Sequence, residues 1–593
     1  MGQILVILDS VAAARAWLAR GTPTAQILST HMSVVEFLAA RGVACTDVSE
    51  LVTPDEAGEQ LRQASRDLDA LLEDLDSSVA VQACAAGGLP RLQLFRAAFK
   101  YLGQFNLAGM RCLESQLDAK LRSGTFARVE FLHSVETSVD PVFSFVDAAA
   151  RTCAARRVPF VATAVPHAAS PGFRRAAEVA LRALRSPRLV FERIWGRTRR
   201  ALAPGLRTHA PAALLFDPQP DSYFERALDG QGVRLVYIAR DGRVRGGERF
   251  RGEAPLAAAR MRAVLEEWLR AEPGRGAGLA GRCVAHLASS ARELLQPMVV
   301  AHRIATTFPI SAAAWDVPLV TRIHLNLIAE ALLAAGLRVL GRQHGGNYVD
   351  QRAGSIHFDS DFDRCTHYFS YAFGIAEFRN AYPDKKPRCV FEPGGNPRPP
   401  ASRRKRVDIA FPISGCVPLF YLVRMPESAI MLRQREVLTA MEARTDLDCV
   451  VKPPPGYSRD SFGHTEALLA LRHTRVANGT WTEFLARSTP RLVVFETVST
   501  PLYEALAYDL DIFLMLDPLY PFTEEAMTML RRRVHVFDTT EQLVAAILRY
   551  GREVTPRLRD SSYYDTYVNR GSAARVRELL ATPAASLDYR FTP

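Results

Sequence analysis

The segment that most constrains the fold is residues 491–506, which read RLVVFETVSTPLYEAL. Residues 492–495 form a short apolar run between polar neighbours, which is typical of a strand buried in a parallel sheet. Residues 496–499 then form a turn, Thr500 stands at the N-cap position of a helix, and Pro501 follows as the first helical residue. A buried strand joined by a short turn to a capped helix predicts a doubly wound α/β fold.

The same turn has the chemistry of a phosphate site. The first amides of a helix have no partner inside the helix, and its N-terminus carries roughly half a positive charge. Ser499 and Thr500 would hydrogen-bond a phosphate group, Glu496 lies in the turn beside them, and Glu504 would reach a ribose hydroxyl. The alternative is a capped helix that binds nothing, because every strand-to-helix junction of such a sheet needs a cap.

Two further strand ends point to the same edge of the sheet. Residues 446–456 (DLDCVVKPPPG) have the pattern of a strand that ends in a lysine and is stopped by three prolines. Residues 407–415 (VDIAFPISG) have the pattern of an apolar strand that ends in two small residues. Ligands of open α/β sheets bind beyond the carboxyl ends of the strands. We therefore predict further donor-binding residues at these two ends: Ser414, Gly415, Lys452 and Pro453.

The order of these segments resembles the nucleotide-binding half of GT-B glycosyltransferases that build bacterial surface polysaccharides. The resemblance rests on a strand followed by Lys-Pro-x-Pro, and on a later strand followed by Ser-Thr-x-x-x-Glu-Ala-Leu. In capsule Kdo transferases and bacterial polysialyltransferases, a Lys-Pro-His-Pro loop and a Ser-Ser or Ser-Thr turn hold the CMP of the donor. Pro454 stands where those enzymes have histidine. The resemblance therefore leaves the nucleotide open between a CMP-linked and a UDP-linked sugar.

A third segment extends this likeness. Residues 337–348 (LRVLGRQHGGNY) are followed by an acidic and aromatic run at 357–374. The pattern is similar to a family of bacterial surface-carbohydrate transferases with a His-Gly-Gly-x-Tyr motif, and it covers roughly residues 300–560. Val349 replaces the glycine that usually follows the tyrosine. The resemblance implies a substrate loop made of Gln343, Gly345, Gly346 and Tyr348 around the histidine.

The histidine of this loop, His344, is the first candidate for catalysis. The ordinary pKa of a histidine lies near neutrality, so a histidine beside glycines can take the proton of an acceptor hydroxyl or support the leaving phosphate. The alternative is a histidine that only hydrogen-bonds within its turn. Asp359 and Asp361 are reserve bases.

With Asp363, these two aspartates form D-x-D-x-D, a pattern that holds a divalent cation in GT-A transferases. The interleaved Phe358 and Phe362 favour a strand or turn edge with solvated carboxylates instead. We expect no metal and no other cofactor.

Length and patterning predict the domain organisation. A chain of 593 residues exceeds a single core. Alternating strand and helix patterns predict an α/β chain with a helical insertion in the N-terminal half, and the resemblance implies a GT-B-like fold in which two Rossmann-like domains face a cleft. The expected units are residues 1–395 on the acceptor side with the insertion at about 52–125, residues 404–560 as the nucleotide-sugar-binding domain, and residues 561–593 as a helical tail.

Charge and cysteine usage narrow the partners. The formal net charge is +11, with arginine-rich patches at 197–200, 403–406 and 531–533, which are solvated faces or contacts to anionic lipid. No nucleic-acid-binding motif accompanies them. The nine cysteines are scattered without a C-x-x-C pair, and no apolar run is long enough to span a bilayer. We expect a cytoplasmic protein with a peripheral contact at the inner face of the cell membrane.

The resemblance to these transferases implies a nucleotide-sugar-dependent glycosyltransferase that acts on a surface glycan or lipid-linked glycan, such as lipopolysaccharide or capsule, and the other features are compatible with it. One alternative is a polyol-phosphate transferase of the CDP-glycerol type, which also combines a histidine loop with a Ser/Thr turn. Another is a non-catalytic protein that binds anions or a membrane surface through a nucleotide-binding fold. Turnover separates the enzymes from the binding protein, and the linkage formed separates the two transferases.

Overall fold

Three parallel β-sheets follow one another along the chain in the computed structural model. Apolar runs form their strands, and amphipathic helices form the connections between them. The residues that the structure describes are 3–21, 25–134, 142–165, 212–216, 222–228, 233–239, 241–244, 247–250, 252–272, 274–316, 322–346, 348–352, 361–395, 405–414, 427–454, 471–477, 479–518, 521–572 and 574–581.

The first sheet has five strands in the order β3-β2-β1-β4-β5. Its strands are β1 Gln3–Leu8, β2 Ala25–Ser29, β3 Thr46–Asp47, β4 Phe126–Ser134 and β5 Phe160–Val165. The flanking helices are Val11–Leu18, Met32–Ala39 and Phe145–Ala155, with a short 3₁₀ turn at Val48–Leu51. Between β3 and β4 the chain forms the helices Pro54–Ser77, Val79–Ala86 and Leu94–Ser123. The predicted helical insertion at about 52–125 is therefore present.

The second sheet has six strands in the order β11-β10-β9-β8-β6-β7. Its strands are β6 Ala212–Phe216, β7 Arg234–Ile238, β8 Ile310–Trp315, β9 Val339–Arg342, β10 His367–Ser370 and β11 Val390–Pro393. Its helices are Tyr223–Leu228, Glu253–Arg270, Leu279–Ser289, Ala291–Thr307, Ile323–Ala334 and Ile375–Ala381. Residues 1–395, which we expected to form one Rossmann-like unit, thus contain two separate sheets. Hydrophobic periodicity identifies strands but does not say which strands pair, so the sequence did not reveal the division.

The third sheet has six strands in the order β14-β13-β12-β15-β16-β17. Its strands are β12 Lys405–Phe411, β13 Cys449–Val451, β14 Arg475–Val476, β15 Ser488–Phe495, β16 Asp511–Met515 and β17 His535–Phe537. Its helices are Glu427–Glu442, Trp481–Arg487, Thr500–Ala505, Glu524–Leu530 and Thr540–Arg549. The connections leave β12 in one direction and β15 in the other, so the topological switch point lies between these two strands.

The second and third sheets share one hydrophobic core. Leu214 of β6 and Val493 of β15 belong to the same cluster of buried side chains, which also contains Tyr348 and Tyr503 at the junction. The first sheet joins the second through another cluster, formed with the inserted helices. It also touches the third sheet, where Met32 packs against Met431.

The C-terminal segment crosses back from the third sheet to the second. After the π-helical turn Tyr564–Val568, the backbone N–H of Arg570 donates to the carbonyl of Tyr371 over 3.1 Å. The helix Ala574–Ala581 then packs Val576 and Leu579 against the second sheet. The described part of the predicted helical tail is therefore a strap that ties the last two sheets together.

Two expectations about the surface can be compared with the structure. Arg533, in one arginine-rich patch, is buried and donates to the carbonyls of Tyr508 and Leu510 over 2.7 and 3.1 Å. It is therefore not part of a solvated face, whereas Arg531 and Arg532 are exposed. Residues 197–200 lie outside the described residues. In the described part of the chain, no helix has the length and apolar character needed to cross a bilayer.

Candidate functional site

Ser499, rather than Thr500, caps the helix Thr500–Ala505. Ser499 is extended, with φ −153° and ψ 166°, and the helix begins one residue earlier than the sequence predicted. Pro501 then lies within the first turn, where no backbone N–H has an intrahelical partner, so proline is tolerated at more than one position. The pattern Ser-Thr-Pro therefore does not decide which hydroxyl residue is the cap. The Ser499 side chain makes no capping hydrogen bond to the helix.

The histidine loop of the second sheet lies directly on this helix of the third sheet. A Cβ atom at position 345 would lie 2.6 Å from Thr500 Oγ1, and one at position 346 would overlap the ring of Tyr503. Only glycine allows both approaches, which gives a physical reason for the Gly-Gly pair. The structure thus brings together two motifs that lie about 150 positions apart in the sequence.

Gln343 holds the loop in this position. Its side-chain Nε2 donates to the carbonyl of Gly345 over 2.7 Å, and its Oε1 accepts from the backbone N–H of Tyr371 over 2.6 Å. Gln343 is buried, as expected of a side chain whose amide serves the backbone. Gln343 therefore shapes the loop through these backbone contacts.

His344 forms a hydrogen-bonded row with Tyr348 and Asp361. The Tyr348 hydroxyl lies 2.5 Å from His344 Nδ1 and 2.5 Å from Asp361 Oδ2, while the two outer groups are 3.7 Å apart. About a third of the His344 side chain is exposed (36%), whereas Asp361 is fully buried. Desolvation by the surrounding protein lowers the pKa of His344 to about 4. The imidazole is therefore neutral at pH 7.

The acidic stretch differs from its sequence-based expectation. Asp361 and Asp363 are buried rather than solvated, because Phe362 between them packs into a cluster of aromatic rings. Asp361 Oδ2 also lies 3.4 Å from the hydroxyl of Tyr368. Asp363 lies 3.5 Å from the guanidinium of Arg96.

The D-x-D-x-D pattern raised the possibility of a metal site, and the structure describes two of its three aspartates. Asp359 lies outside the described residues, so the complete D-x-D-x-D set is not placed. Among the residues whose positions are described, no group of three His, Cys, Asp or Glu side chains has the arrangement of a metal site.

Glu496 ties the two strand ends at the switch point. Its carboxylate accepts from the backbone N–H of Ser414 over 2.7 Å and from Gln434 Nε2 over 2.8 Å. Its own carbonyl accepts from Arg433 over 2.6 Å. Glu496 is buried, and its carboxylate holds the segment after β12 against the end of β15. Gly415 lies outside the described residues.

Lys452 does not meet the hydroxyls of the Ser-Thr turn. Its ammonium is buried and donates to the carbonyl of Pro453, and burial lowers its pKa. In the described structure, no hydrogen bond or ion pair joins it to Ser499 or Thr500. Lys452 therefore does not form a joint phosphate site with Ser499 and Thr500 in this structure, because the lysine side chain folds back onto its own loop.

Glu504 lies at the junction of the last two sheets. Its Oε2 accepts from the hydroxyl of Thr482 over 3.0 Å. Burial is the larger cause of the raised pKa of Tyr371, which follows β10 of the second sheet, and the negative charge of Glu504 also contributes to raising it. Burial raises the pKa of Glu504 to about 7. The indole N–H of Trp481 donates to the carbonyl of Pro501 over 3.0 Å, so the neighbouring helix braces the first turn.

Asp350 is a residue of this junction that the sequence did not reveal. Its buried carboxylate accepts from the hydroxyls of Tyr503 and Tyr563, the latter over 2.5 Å. Burial raises the pKa of Asp350. The three residues come from three separate segments, so no local spacing pattern could have identified the group.

A cavity of about 1000 Å³ opens at the carboxyl ends of β16 and β17. Its lining contains Arg352, Arg433 and Arg531, several acidic side chains and apolar residues such as Met527. His344, Ser499 and Thr500 do not line it. Arg433 is the link, because it lines the cavity and also donates to the carbonyl of Glu496. The cavity therefore lies beside the switch point and is separate from the histidine loop.

The structure is similar to several solved glycosyltransferases, with low sequence identities and low TM-scores. Spinosyn rhamnosyltransferase SpnG complexed with thymidine diphosphate has 13% identity and a TM-score of 0.29, covering 63% of this chain and 98% of SpnG. SnogD from Streptomyces nogalater has 15% identity and a TM-score of 0.26, covering 64% and 97%. Medicago truncatula UGT71G1 complexed with UDP-glucose has 9% identity and a TM-score of 0.28, covering 64% and 95%. No family model and no curated protein matches the sequence.

Proposed function

We propose that this chain is a GT-B-type glycosyltransferase that moves a sugar from a CMP- or UDP-linked donor to a hydroxyl of a bacterial surface glycan. One observation carries the proposal: the histidine loop of the second sheet lies against Thr500, at the switch point of the third sheet. Switch points are where open α/β sheets bind nucleotides. This contact between the two loops supports the proposal that the candidate base and the candidate anion-binding turn act at one site.

The donor phosphate would lie against the turn of the third sheet. Ser499 and Thr500 offer hydroxyl donors, and the first amides of the helix add their N–H groups. Donors aimed at developing charge contribute about 3 kcal/mol each to such a step. Ser414, which follows β12, and Pro453, which follows β13, would line the other side of the donor site, and Gly415 remains a candidate of the same proposal. Lys452 would act on the phosphate only if its side chain left the carbonyl of Pro453, and Glu504 would hold the ribose.

His344 would handle the proton of the acceptor. In the reaction, the bond between the anomeric carbon and the phosphate oxygen breaks, the acceptor oxygen bonds to that carbon, and the hydroxyl proton moves to the imidazole. Burial keeps the ring of His344 neutral at pH 7, so the ring can accept a proton, but the same lowered pKa makes it a weaker base than an ordinary histidine. General acid or base groups contribute about a hundredfold or more to such rates. The proposal needs no metal ion or other cofactor.

A binding experiment tests the donor site. Thermal shift is measured with CMP, CDP, UDP, GDP and TDP on the wild type and on the double variant Ser499→Ala/Thr500→Val. The preferred nucleotide, at about a hundred times its dissociation constant, stabilises the wild type by about 2.7 kcal/mol. The matched control is Ser488→Ala/Thr489→Val, which makes the same changes at the amino end of the same strand. Equal shifts in all three proteins, or no shift with any nucleotide, would overturn the assignment.

Turnover and product analysis then test the reaction. The nucleotide sugar chosen by the binding panel is incubated with lipopolysaccharide or capsule fragments, and the linkage formed is determined. A glycosidic bond supports the proposal, whereas a phosphodiester bond identifies a polyol-phosphate transferase instead. The net charge of +11 supports a peripheral contact with anionic lipid, near a lipid-linked acceptor. Binding to anionic but not neutral vesicles checks that part separately.

A further inference from the structure

The row of three residues behind the histidine loop suggests how His344 is oriented. Tyr348 is buried between the other two, and burial together with the Asp361 charge raises its pKa well above 10. The phenol therefore keeps its proton at any working pH. A hydroxyl has one proton to donate, so Tyr348 can donate to His344 or to Asp361 but not to both.

The neighbours of Asp361 decide the direction. Tyr348 and Tyr368 both approach the same carboxylate oxygen, over 2.5 and 3.4 Å. Each phenol carries a proton, so an oxygen that both phenols approach is best placed as an acceptor. If Tyr348 donates to Asp361, its oxygen accepts from His344, and the proton of the ring lies on Nδ1. The lone pair of the imidazole is then on Nε2.

We propose that Tyr348 and Asp361 are positioning residues that fix His344 in the Nδ1–H tautomer, so that Nε2 is the atom that takes the acceptor proton. This inference rests on the proposed function for its use, but the tautomer itself is a property of the chain alone. Asp361 is then not a base, because it is buried and acts only through Tyr348. The sequence made His344 the first candidate base and Asp361 a reserve base, and the geometry gives Asp361 a different role.

The test is nitrogen NMR of the full chain labelled in its 13 histidines. His344→Gln identifies the His344 signals by their loss. In the wild type near pH 7, we expect Nδ1 to carry the proton and Nε2 to be bare. In Asp361→Asn the amide can donate to the Tyr348 oxygen, which turns the phenol proton toward His344. The ring should then switch to the Nε2–H form.

Two further variants separate a relay from a purely structural role. Tyr348→Phe should release the ring to the mixture of tautomers found for an unconstrained histidine. Tyr368→Phe removes the other phenol beside Asp361 and should leave the Nδ1–H form unchanged. A wild-type ring with the proton on Nε2, or an unchanged tautomer in Asp361→Asn with native circular dichroism, would overturn the inference.

Kinetics link the row to the reaction. With the nucleotide sugar identified by the binding panel, Asp361→Asn should lower kcat by about 100-fold while the KM of the donor stays within about twofold. Failure of the proposed function is distinguishable, because it would leave the expected tautomers in place with no turnover in any variant. A switched tautomer with undiminished turnover would instead overturn the positioning role.

Discussion

Gly346 lies against the ring of Tyr503, and a side chain at position 346 would overlap that ring. The two residues belong to different sheets, so their contact sets how closely the histidine loop approaches the helix Thr500–Ala505. The next residue back, Gly345, makes a similar approach to Thr500. The two glycines thus couple the integrity of the site to the packing of two halves of the chain.

The close contact between Gly346 and Tyr503 predicts how much stability the chain would lose if a methyl group were added at position 346. We expect Gly346→Ala to lower the free energy of unfolding by about 1–3 kcal/mol, the usual cost of overpacking a close contact. Chemical denaturation measures the change. Gly252→Ala is the matched control, because no atom lies within 4 Å of the added Cβ at that position. If both variants unfold at the same denaturant concentration as the wild type, the close approach does not exist in solution.

The buried carboxylate of Asp350 makes a second stability prediction. Asp350→Ala would remove the buried carboxylate to which the hydroxyls of Tyr503 and Tyr563 both donate. We expect a loss of about 3 kcal/mol or more, because buried donors without partners are costly. Tyr563→Phe removes a donor but leaves the carboxylate in place for Tyr503, so its loss should be smaller, about 1 kcal/mol. A larger loss in Tyr563→Phe than in Asp350→Ala would contradict this order.

Glu504 predicts a pH dependence of stability. Burial raises its pKa from 4.5 to about 7. The folded chain therefore holds a proton that the unfolded chain has released, so this contribution to stability is present at low pH and is lost as the pH rises toward about 7. Melting temperatures measured from about pH 5 to about pH 8 should fall more steeply for the wild type than for Glu504→Gln. Parallel curves would show that the carboxyl titrates normally.

His344 predicts a kinetic effect without a binding effect. We expect His344→Gln to lower kcat by about 100-fold or more, because the proton acceptor is lost. The affinity for the donor nucleotide should stay the same, since the anion-binding turn is unaltered. Isothermal titration gives the affinity, and single-turnover assays give the rate. A loss of nucleotide affinity instead would place His344 among the donor ligands.

Much of the third sheet was predictable from local patterns. The apolar run at 492–495 lies at the end of β15, and the segments before Lys452 and Ser414 contain β13 and β12. Local sequence patterns are enough to predict these strands, because strand formation and its interruption by proline or glycine depend on residues close together in the sequence. The division of residues 1–395 into two sheets depends on pairing between distant strands, which local pattern does not encode.

The candidate site divides in the same way. Its residue types were visible in the sequence, including the His-Gly-Gly loop and the Ser-Thr turn. The directions of their side chains were not. Lys452 donates to the carbonyl of Pro453, and Glu496 accepts from the backbone N–H of Ser414. Each side chain takes this direction because it satisfies a backbone polar group that the fold has buried nearby.

The sequence by itself determined an α/β chain whose apolar strands end in small, hydroxyl-bearing and cationic residues. It did so because secondary structure and turn chemistry follow from residues only a few positions apart. Only the tertiary structure decided that the histidine loop lies on Thr500 and Tyr503, and that Tyr348 stands between His344 and Asp361. These contacts come from the packing of one sheet against another, whose free energy depends on surfaces assembled from the whole chain.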